Sequence, residues 1–267
     1  MDEKYGIIYA QRCLKSGNMD AHTAASVAFV STLEFEPVGS QIKPMNQTYY
    51  PQTAQRVDAV TMNRVLRSTY LLLSMTLLFS GAMAYVGYAA RLPFFGLLPT
   101  LLGYFGLLFL TTKFRNSGWG LVFCFGLTGF MGLTLGPIIH AYTYMYANGA
   151  QLVTYALGGT GVIFLAMSGI ALTSKRDFSF LGKFLMVGIL VAFLAGLGAY
   201  FFQMPSLALA VSSMFILLMT GLILFQTQQI VRGGETNYIM ATVTLFVSIY
   251  NLFTSLLHLF GFFFGED

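Results

Sequence analysis

Seven long apolar runs fill most of this 267-residue chain and limit its fold more than any other feature. Each run has about 20 residues or more, the length that a helix needs to cross a hydrocarbon core roughly 30 Å thick. The runs are continuous rather than alternating, and a helix satisfies its own backbone hydrogen bonds in lipid, so we predict helices and not barrel strands. The predicted spans are 68–90, 93–112, 118–139, 151–173, 181–203, 206–228 and 238–263.

The composition agrees with an all-α integral membrane protein. Hydrophobic residues make up 56% of the chain and charged residues only 9%, whereas soluble domains have about 25% charged residues. Between residues 68 and 264 only two acidic residues occur, Asp177 and Glu235, and both lie beside basic residues in predicted loops. We therefore predict that the membrane interior holds no carboxylate.

The basic residues between the runs predict the orientation in the bilayer, because cytoplasmic loops carry an excess of Lys and Arg. In a seven-span arrangement nearly all of them fall on one side, and the opposite side has Arg91 and the acidic Glu266 and Asp267. The basic residues of the first side are Arg56, Arg64, Arg67, Lys113, Arg115, Lys175, Arg176, Lys183 and Arg232. This predicts a cytoplasmic N-terminus and an external C-terminus. Since orientation explains the basic excess, the expected partner is the lipid bilayer and not nucleic acid.

Residues 1–60 form a polar leader with scattered charges and no sustained helical period. We predict a disordered cytoplasmic segment here, followed by a membrane domain over residues 61–267. The apolar run 24–30 is short and is followed by Glu34 and Glu36, which disfavours a cleaved signal peptide. Met45 and Met62 are alternative starts, so the mature chain could lack residues 1–44.

Glycine and other small residues are dense within the runs, for example in "GLTGFMGLTLGP" at 126–137. In lipid, small side chains let helix backbones approach closely, and we favour this interpretation. The alternative is a kink at Gly136 and Pro137, because proline removes a backbone donor from the third helix.

No residue pattern of an enzyme or a metal site is found. The histidines, His22, His140 and His258, are far apart and lack the spacing of metal ligands, and no nucleophile is paired with a base. The two cysteines, Cys13 and Cys124, do not form a disulfide framework. We therefore predict a non-enzymatic protein with no cofactor and no metal.

Polar residues on the last two spans are the strongest candidates for a functional site. Gln226 and Gln229 are three residues apart on the sixth span, and Ser248 and Asn251 have the same spacing on the seventh. Residues at this spacing share a helix face, so the two polar stripes meet if both face inward. We favour a set of hydrogen bonds between the two helices, worth roughly 0.6–2 kcal/mol each. The alternative is the polar lining of a small aqueous cavity.

Three segments resemble the Bax inhibitor-1 family, and specifically its bacterial YccA-like branch. They are "TSKRDFSFLG" at 173–182, "GLTLGPI" at 132–138 and "LILFQTQQIVRGGETNYIMATVTLFVSIYNLFTSLLHLFG" from residue 222 onwards. The resemblance covers roughly residues 60–264 and leaves residues 1–44 outside. It implies a seven-transmembrane-helix bundle with a central seventh helix, located in the bacterial inner membrane.

The resemblance implies two functions. YccA-like proteins are associated with the membrane-anchored AAA protease FtsH and restrain its action on membrane proteins, which makes FtsH the expected partner. Other family members leak calcium or protons and are gated by two aspartates, whose positions correspond to Gln226 and Ser248 here. The family's basic partner would fall near Lys113. Because glutamine and serine are neither titratable nor charged near neutral pH, the sequence favours the protease modulator and disfavours a gated leak channel.

Overall fold

The structure is a computed structural model that describes residues 52–174 and 176–266, with side chains described from residue 64 onwards. The described residues form seven α-helices and no strand, which confirms the all-α class. In chain order the helices are α1 Gln52–Ala89, α2 Leu97–Lys113, α3 Gly118–Met145, α4 Gly149–Thr173, α5 Leu181–Phe201, α6 Pro205–Val231 and α7 Tyr238–Phe264.

Six of these helices are long and apolar enough to cross a membrane, and α2 is the exception. The sequence predicts a span over 93–112, but α2 begins only at Leu97 and has 17 residues, about 25 Å of helix. Gly96 precedes it with a φ of 81°, a conformation that other residues rarely adopt. The segment from Pro93 to Gly96 is not helical, so the second predicted span is shortened at its start.

Helix α1 begins at Gln52, inside the segment that the sequence analysis assigns to the leader. Residues 52–60, "QTAQRVDAV", contain no glycine or proline, and once a helix is nucleated each further residue adds one hydrogen bond. The apolar part of α1 therefore continues into a polar N-terminal extension. The rest of the predicted leader, residues 1–51, lies outside the described residues.

Helix α7 lies at the centre of the bundle. It packs against α1, α3, α4 and α6, and it has a larger buried share than any other membrane-length helix described. Leu245, Phe246, Leu252 and Leu257 of α7 are almost completely buried. Helices α2 and α5 lie at the periphery, where α2 packs mainly on α3 and α5 mainly on α6.

Hydrogen bonds to loops at the two ends of the bundle show that α7 runs along the full length of the bundle. At the start of α7, Asn237 Nδ2 donates to Asn116 Oδ1 at 2.9 Å, in the loop just before α3. At its end, Phe264 O accepts from Asn148 Nδ2 at 2.7 Å, in the loop just after α3. The loops that hold Asn116 and Asn237 form one end of the described bundle, which we call the loop end, and Asn148 and the C-terminal residues lie at the other.

Glycines of α3 let its backbone touch that of α1. A methyl group built on Gly136 would lie 2.6 Å from the backbone of Gly87 and Tyr88. Helix α3 continues through Pro137 to Met145 without a break. Close packing, the favoured interpretation, is confirmed at Gly136, whereas a kink at Pro137 stays a prediction.

Candidate functional site

Gln226 and Ser248 stand at the positions that the family resemblance identifies, and both are buried. Gln226 has 7% of its surface exposed and Ser248 has none. No described residue forms a hydrogen bond with the Gln226 side chain. These two positions therefore place uncharged polar groups inside the bundle.

The polar residues of α7 use their hydrogen bonds within their own helix. Ser248 Oγ donates to Thr244 O at 2.7 Å, and Asn251 Nδ2 donates to Val247 O at 2.8 Å. The hydrogen bonds predicted between α6 and α7 are therefore not formed from these side chains among the described residues. The reason is geometric, because a hydroxyl or amide on a helix always has the carbonyl one turn earlier within reach.

Gln228, which the sequence analysis did not select, is the glutamine of α6 that makes a tertiary connection. Its side chain is 2% exposed. Oε1 accepts the backbone N–H of Phe178 at 2.8 Å, and Nε2 donates to Arg176 O at 2.6 Å. The pairing of Gln226 with Gln229 by helical spacing omitted Gln228, since it faces the loop before α5 and not α7.

The same loop carries the acidic residue Asp177, which lies outside the helices. Its carboxylate accepts from Ser179 Oγ at 2.6 Å and from Ser179 N at 2.9 Å, and Arg232 Nη1 lies 3.5 Å away. The hydrogen bonds from Ser179, followed by the charge of Arg232, hold the pKa of Asp177 below its usual value of 3.8. Its side chain is 60% exposed, so this carboxylate belongs to the bundle surface.

Glu235, the other acid between residues 68 and 264, also lies in a loop. Its carboxylate accepts the backbone N–H of Asn237 at 2.8 Å, and Asn237 Oδ1 accepts from the N–H groups of Ile239 and Met240 at the start of α7. Asn237 thereby caps the N-terminus of α7. Both acids therefore lie at the loop end, and among the described residues neither forms a hydrogen bond with Gln226 or Ser248.

A cavity of about 530 Å³ lies between α2, α3, α5, α6 and α7. Asn251 lines it together with Tyr250 and Thr134, whose side-chain oxygens are 3.2 Å apart. Because the Thr134 hydroxyl already donates to Met131 O at 2.8 Å, the hydrogen bond between the two is donated by Tyr250. The remaining lining is mostly apolar and contains no charged residue.

Lys113, the residue that corresponds to the family's basic partner, is exposed at the C-terminus of α2. Its ammonium lies 5.8 Å from the centre of the Phe114 ring.

The nitrogen Nδ1 of His258 on α7 lies 2.7 Å from Oγ of Ser212 on α6, within hydrogen-bond distance. Among the described residues, no group of three His, Cys, Asp or Glu side chains could hold a metal ion. The site can therefore supply neutral hydrogen bonds but no charge to its interior.

The comparisons with known proteins agree with this architecture. The family model described as "Inhibitor of apoptosis-promoting Bax1" matches residues 62–265. An uncharacterised protein of Pseudomonas aeruginosa is 47% identical over 223 residues, which are 84% of this chain and 100% of the relative. The Escherichia coli K12 protein named "Modulator of FtsH protease YccA" is 47% identical over 207 residues, 78% of this chain and 94% of the relative. An uncharacterised membrane protein of Vibrio cholerae is 42% identical over 218 residues, which are 81% of this chain and 97% of the relative.

The helices and their uncharged polar interior define a multi-pass α-helical membrane protein. The family model that matches residues 62–265 and the 47% identity to YccA then show to which family of membrane proteins the chain belongs. The chain belongs to the Bax inhibitor-1 family, and within it to the YccA-like branch.

Proposed function

We propose that this protein is a non-enzymatic inner-membrane modulator of FtsH, the membrane-anchored AAA protease, and that it slows the turnover of membrane proteins. The observation that carries the proposal is the 47% identity, over 94% of its length, to the relative named as a modulator of FtsH. The absence of carboxylates from the predicted spans supports it, because a protein that acts by contact needs no titratable interior.

The topology belongs to the same proposal. Seven crossings, with α2 as the shortest, place the N-terminus in the cytoplasm and the C-terminus outside. The support is the loop end of the bundle, where Arg115, Arg176 and Arg232 lie in or beside the loops, whereas the opposite end carries Arg91 and Glu266. The polar segment before the spans, roughly residues 45–67, is then a cytoplasmic contact for the protease.

A pulse–chase measurement in bacterial cells tests the proposal. The half-life of a membrane-protein substrate of FtsH is compared with and without overproduction of the full chain, in cells with active and with catalytically inactive FtsH. We expect a longer half-life only where FtsH is active. An equal half-life in both, or a longer one that persists without active FtsH, contradicts the modulator function.

The cytoplasmic contact is tested separately by deletion of residues 45–60, which lie before the first predicted span, 68–90. The deleted protein must accumulate to the wild-type level in the membrane fraction, and deletion of residues 1–44 is the matched control. We expect the 45–60 deletion to abolish the slowing and the 1–44 deletion to retain it. A fully active 45–60 deletion rejects the contact while leaving the modulator function intact.

A calcium or proton leak is the second candidate, and the interior chemistry disfavours it. Hard cations prefer several oxygen ligands that include carboxylates. The buried positions instead have Gln226 and Ser248, and the cavity beside Asn251 is lined without charge. A liposome flux measurement, described in the Discussion, distinguishes the two candidates.

A further inference from the structure

A groove at the loop end of the bundle combines exposed arginines with an apolar wall. It has a volume of about 510 Å³ and lies between α1, the first turn of α3 and the first turn of α7. Arg64, Arg67 and Tyr238 line it together with leucines and a methionine. Arg64 and Arg67 lie at the end of the segment 45–67 proposed above as a protease contact, but neither that contact nor the polar positions of α6 and α7 use the apolar wall of the groove.

The spacing along α1 separates the charged part of the groove from the apolar part. Arg64, Arg67, Leu71 and Met75 follow one another at intervals of three or four residues, so they share one face of the helix. Eleven residues of helix separate the first from the last, a rise of about 16 Å. The groove therefore changes from cationic to apolar along the bundle axis.

The position of the arginines matches the level of lipid headgroups. The apolar run of α1 begins at residue 68, directly after Arg67, and the loops that Asn237 joins lie at the same end of the bundle. Leu71 and Met75, about one and two turns beyond Arg67, are exposed within the apolar run, where acyl chains lie.

The two guanidinium groups are available to a ligand. Both arginines are exposed, and no described residue forms an ion pair or a hydrogen bond with either of them. Two arginines one turn apart present planar arrays of N–H donors, which suit a phosphate diester better than a single ammonium does.

We propose that this groove binds one anionic diacyl phospholipid, with the phosphate between Arg64 and Arg67 and an acyl chain along Leu71 and Met75. The net negative charge of such a lipid complements the arginines. A zwitterionic lipid would bring its ammonium group to two cations with no described carboxylate among the lining residues. A soluble phosphate would leave the apolar wall uncovered. The inference does not depend on the modulator function.

Native mass spectrometry of the full-length protein in mild detergent tests the site. Dioleoyl phosphatidylglycerol is titrated, and the fraction of protein that retains one lipid is measured. We expect Arg64→Gln and Arg67→Gln each to weaken binding about fivefold. Arg115→Gln, which removes an arginine at the same end but outside the groove, is expected to change binding less than about twofold. Wild-type binding by the double glutamine variant would overturn the proposal.

Two further ligands test whether the groove requires both the charged headgroup and the acyl chains of the lipid. Dioleoyl phosphatidylethanolamine keeps the acyl chains and loses the net charge, and glycerol 3-phosphate keeps the phosphate and loses the chains. We expect both to bind more weakly than phosphatidylglycerol. Equal binding of either one overturns the assignment, because the first outcome shows apolar adhesion only and the second shows a simple anion site.

The test does not depend on the glutamine variants folding. Arg64→Lys with Arg67→Lys keeps both charges and is expected to bind better than the glutamine pair but less well than arginine. For the wild-type protein, phosphatidylglycerol binding should weaken as salt is raised, because exposed charges are screened. Binding that does not respond to salt would reject the arginines as the contact.

Discussion

The side-chain oxygen of Gln228 accepts the backbone N–H of Phe178 at 2.8 Å, so a buried residue of α6 fixes the loop that leads into α5. The amide nitrogen of Gln228 holds Arg176 O at the same time, and Arg232 Nη2 donates to that carbonyl as well, at 2.5 Å. The side chains at the end of α6 thus bind backbone groups of the loop before α5, which do not depend on the side chains of Arg176 and Phe178.

Gln228→Leu should destabilise the protein by about 1–3 kcal/mol, because it removes both hydrogen bonds and leaves partly buried backbone groups without partners. Hydrogen exchange of the amide of Phe178 should accelerate in the same variant. Thermal unfolding in detergent micelles measures the first effect. Gln229→Leu is the control, since no described residue bonds to the Gln229 side chain, and equal destabilisation by both variants would contradict the prediction.

Gly136→Ala should destabilise the fold by about 1–3 kcal/mol, since the added methyl group would overlap the backbone of α1 at Gly87 and Tyr88. Backbone atoms cannot rotate away as a side chain can. Gly126→Ala on the same helix meets only Leu107 at 3.6 Å. It should be neutral or stabilising by up to about 1 kcal/mol, because alanine is the better helix former. Similar unfolding midpoints for the two variants would reject the close contact.

Asn237 has two roles that substitution can separate. Asn237→Ala removes the cap of α7 and the hydrogen bonds to the loop before α3, and it should cost about 1–2 kcal/mol. Asn237→Asp keeps an acceptor for the N–H groups of Ile239 and Met240 but loses the donor to Arg115 O and Asn116. Its unfolding midpoint should lie between those of the wild type and the alanine variant, and a midpoint equal to that of alanine would exclude the cap.

Asp177 should make stability depend on pH in the acid range. Its pKa is lower in the folded protein than the usual 3.8. Its stabilising effect is therefore fully present above 3.8 and is lost as the pH falls through the lower folded value. The wild type should unfold at a higher temperature than Asp177→Asn at neutral pH, and the difference should vanish in strong acid. A pH-independent gap between the wild type and Asp177→Asn would contradict the assignment.

Restoring carboxylates at the two buried positions should introduce a pH response. In liposomes with a trapped calcium dye, we expect no pH-switched flux from the wild type. We expect pH-dependent flux from the variant that combines Gln226→Asp with Ser248→Asp, because both positions are buried and burial raises the pKa of a carboxylate. The combination of Gln226→Asn with Ser248→Asn controls for volume and should resemble the wild type. Flux through the wild type that switches with pH would show that a leak does not need these acids.

The helical segments were largely readable from the sequence. The predicted and observed starts of α3, α5 and α7 coincide, and those of α4 and α6 differ by at most two residues. The reason is that these spans are bounded by polar loops and by glycine or proline. The differences at the starts of α1 and α2 have local causes, whereas the third predicted span, 118–139, ends six residues before α3 does. Gly96 and Pro93 shorten α2, and the absence of glycine or proline from 52–60 lets α1 extend beyond the apolar run.

The candidate site was only partly readable. Helical spacing placed Gln226 with Gln229 and Ser248 with Asn251, but their hydrogen bonds do not join the two helices. The glutamine with tertiary hydrogen bonds is Gln228, one residue from Gln229 and on another face. Spacing identifies which residues share a face, whereas the rotation of α6 about its own axis decides which face meets which neighbour.

The sequence by itself determined that this protein is helical, lies in a membrane and carries no carboxylate in its predicted spans. These properties follow from chain-local quantities, namely run length, residue type and hydrogen-bond capacity in lipid. Only the tertiary structure decided that Gln228 binds the loop at Arg176 and Phe178 and that Arg64 and Arg67 open onto an apolar groove. Such contacts depend on the relative rotation and depth of separate helices, which many weak packing contacts set together.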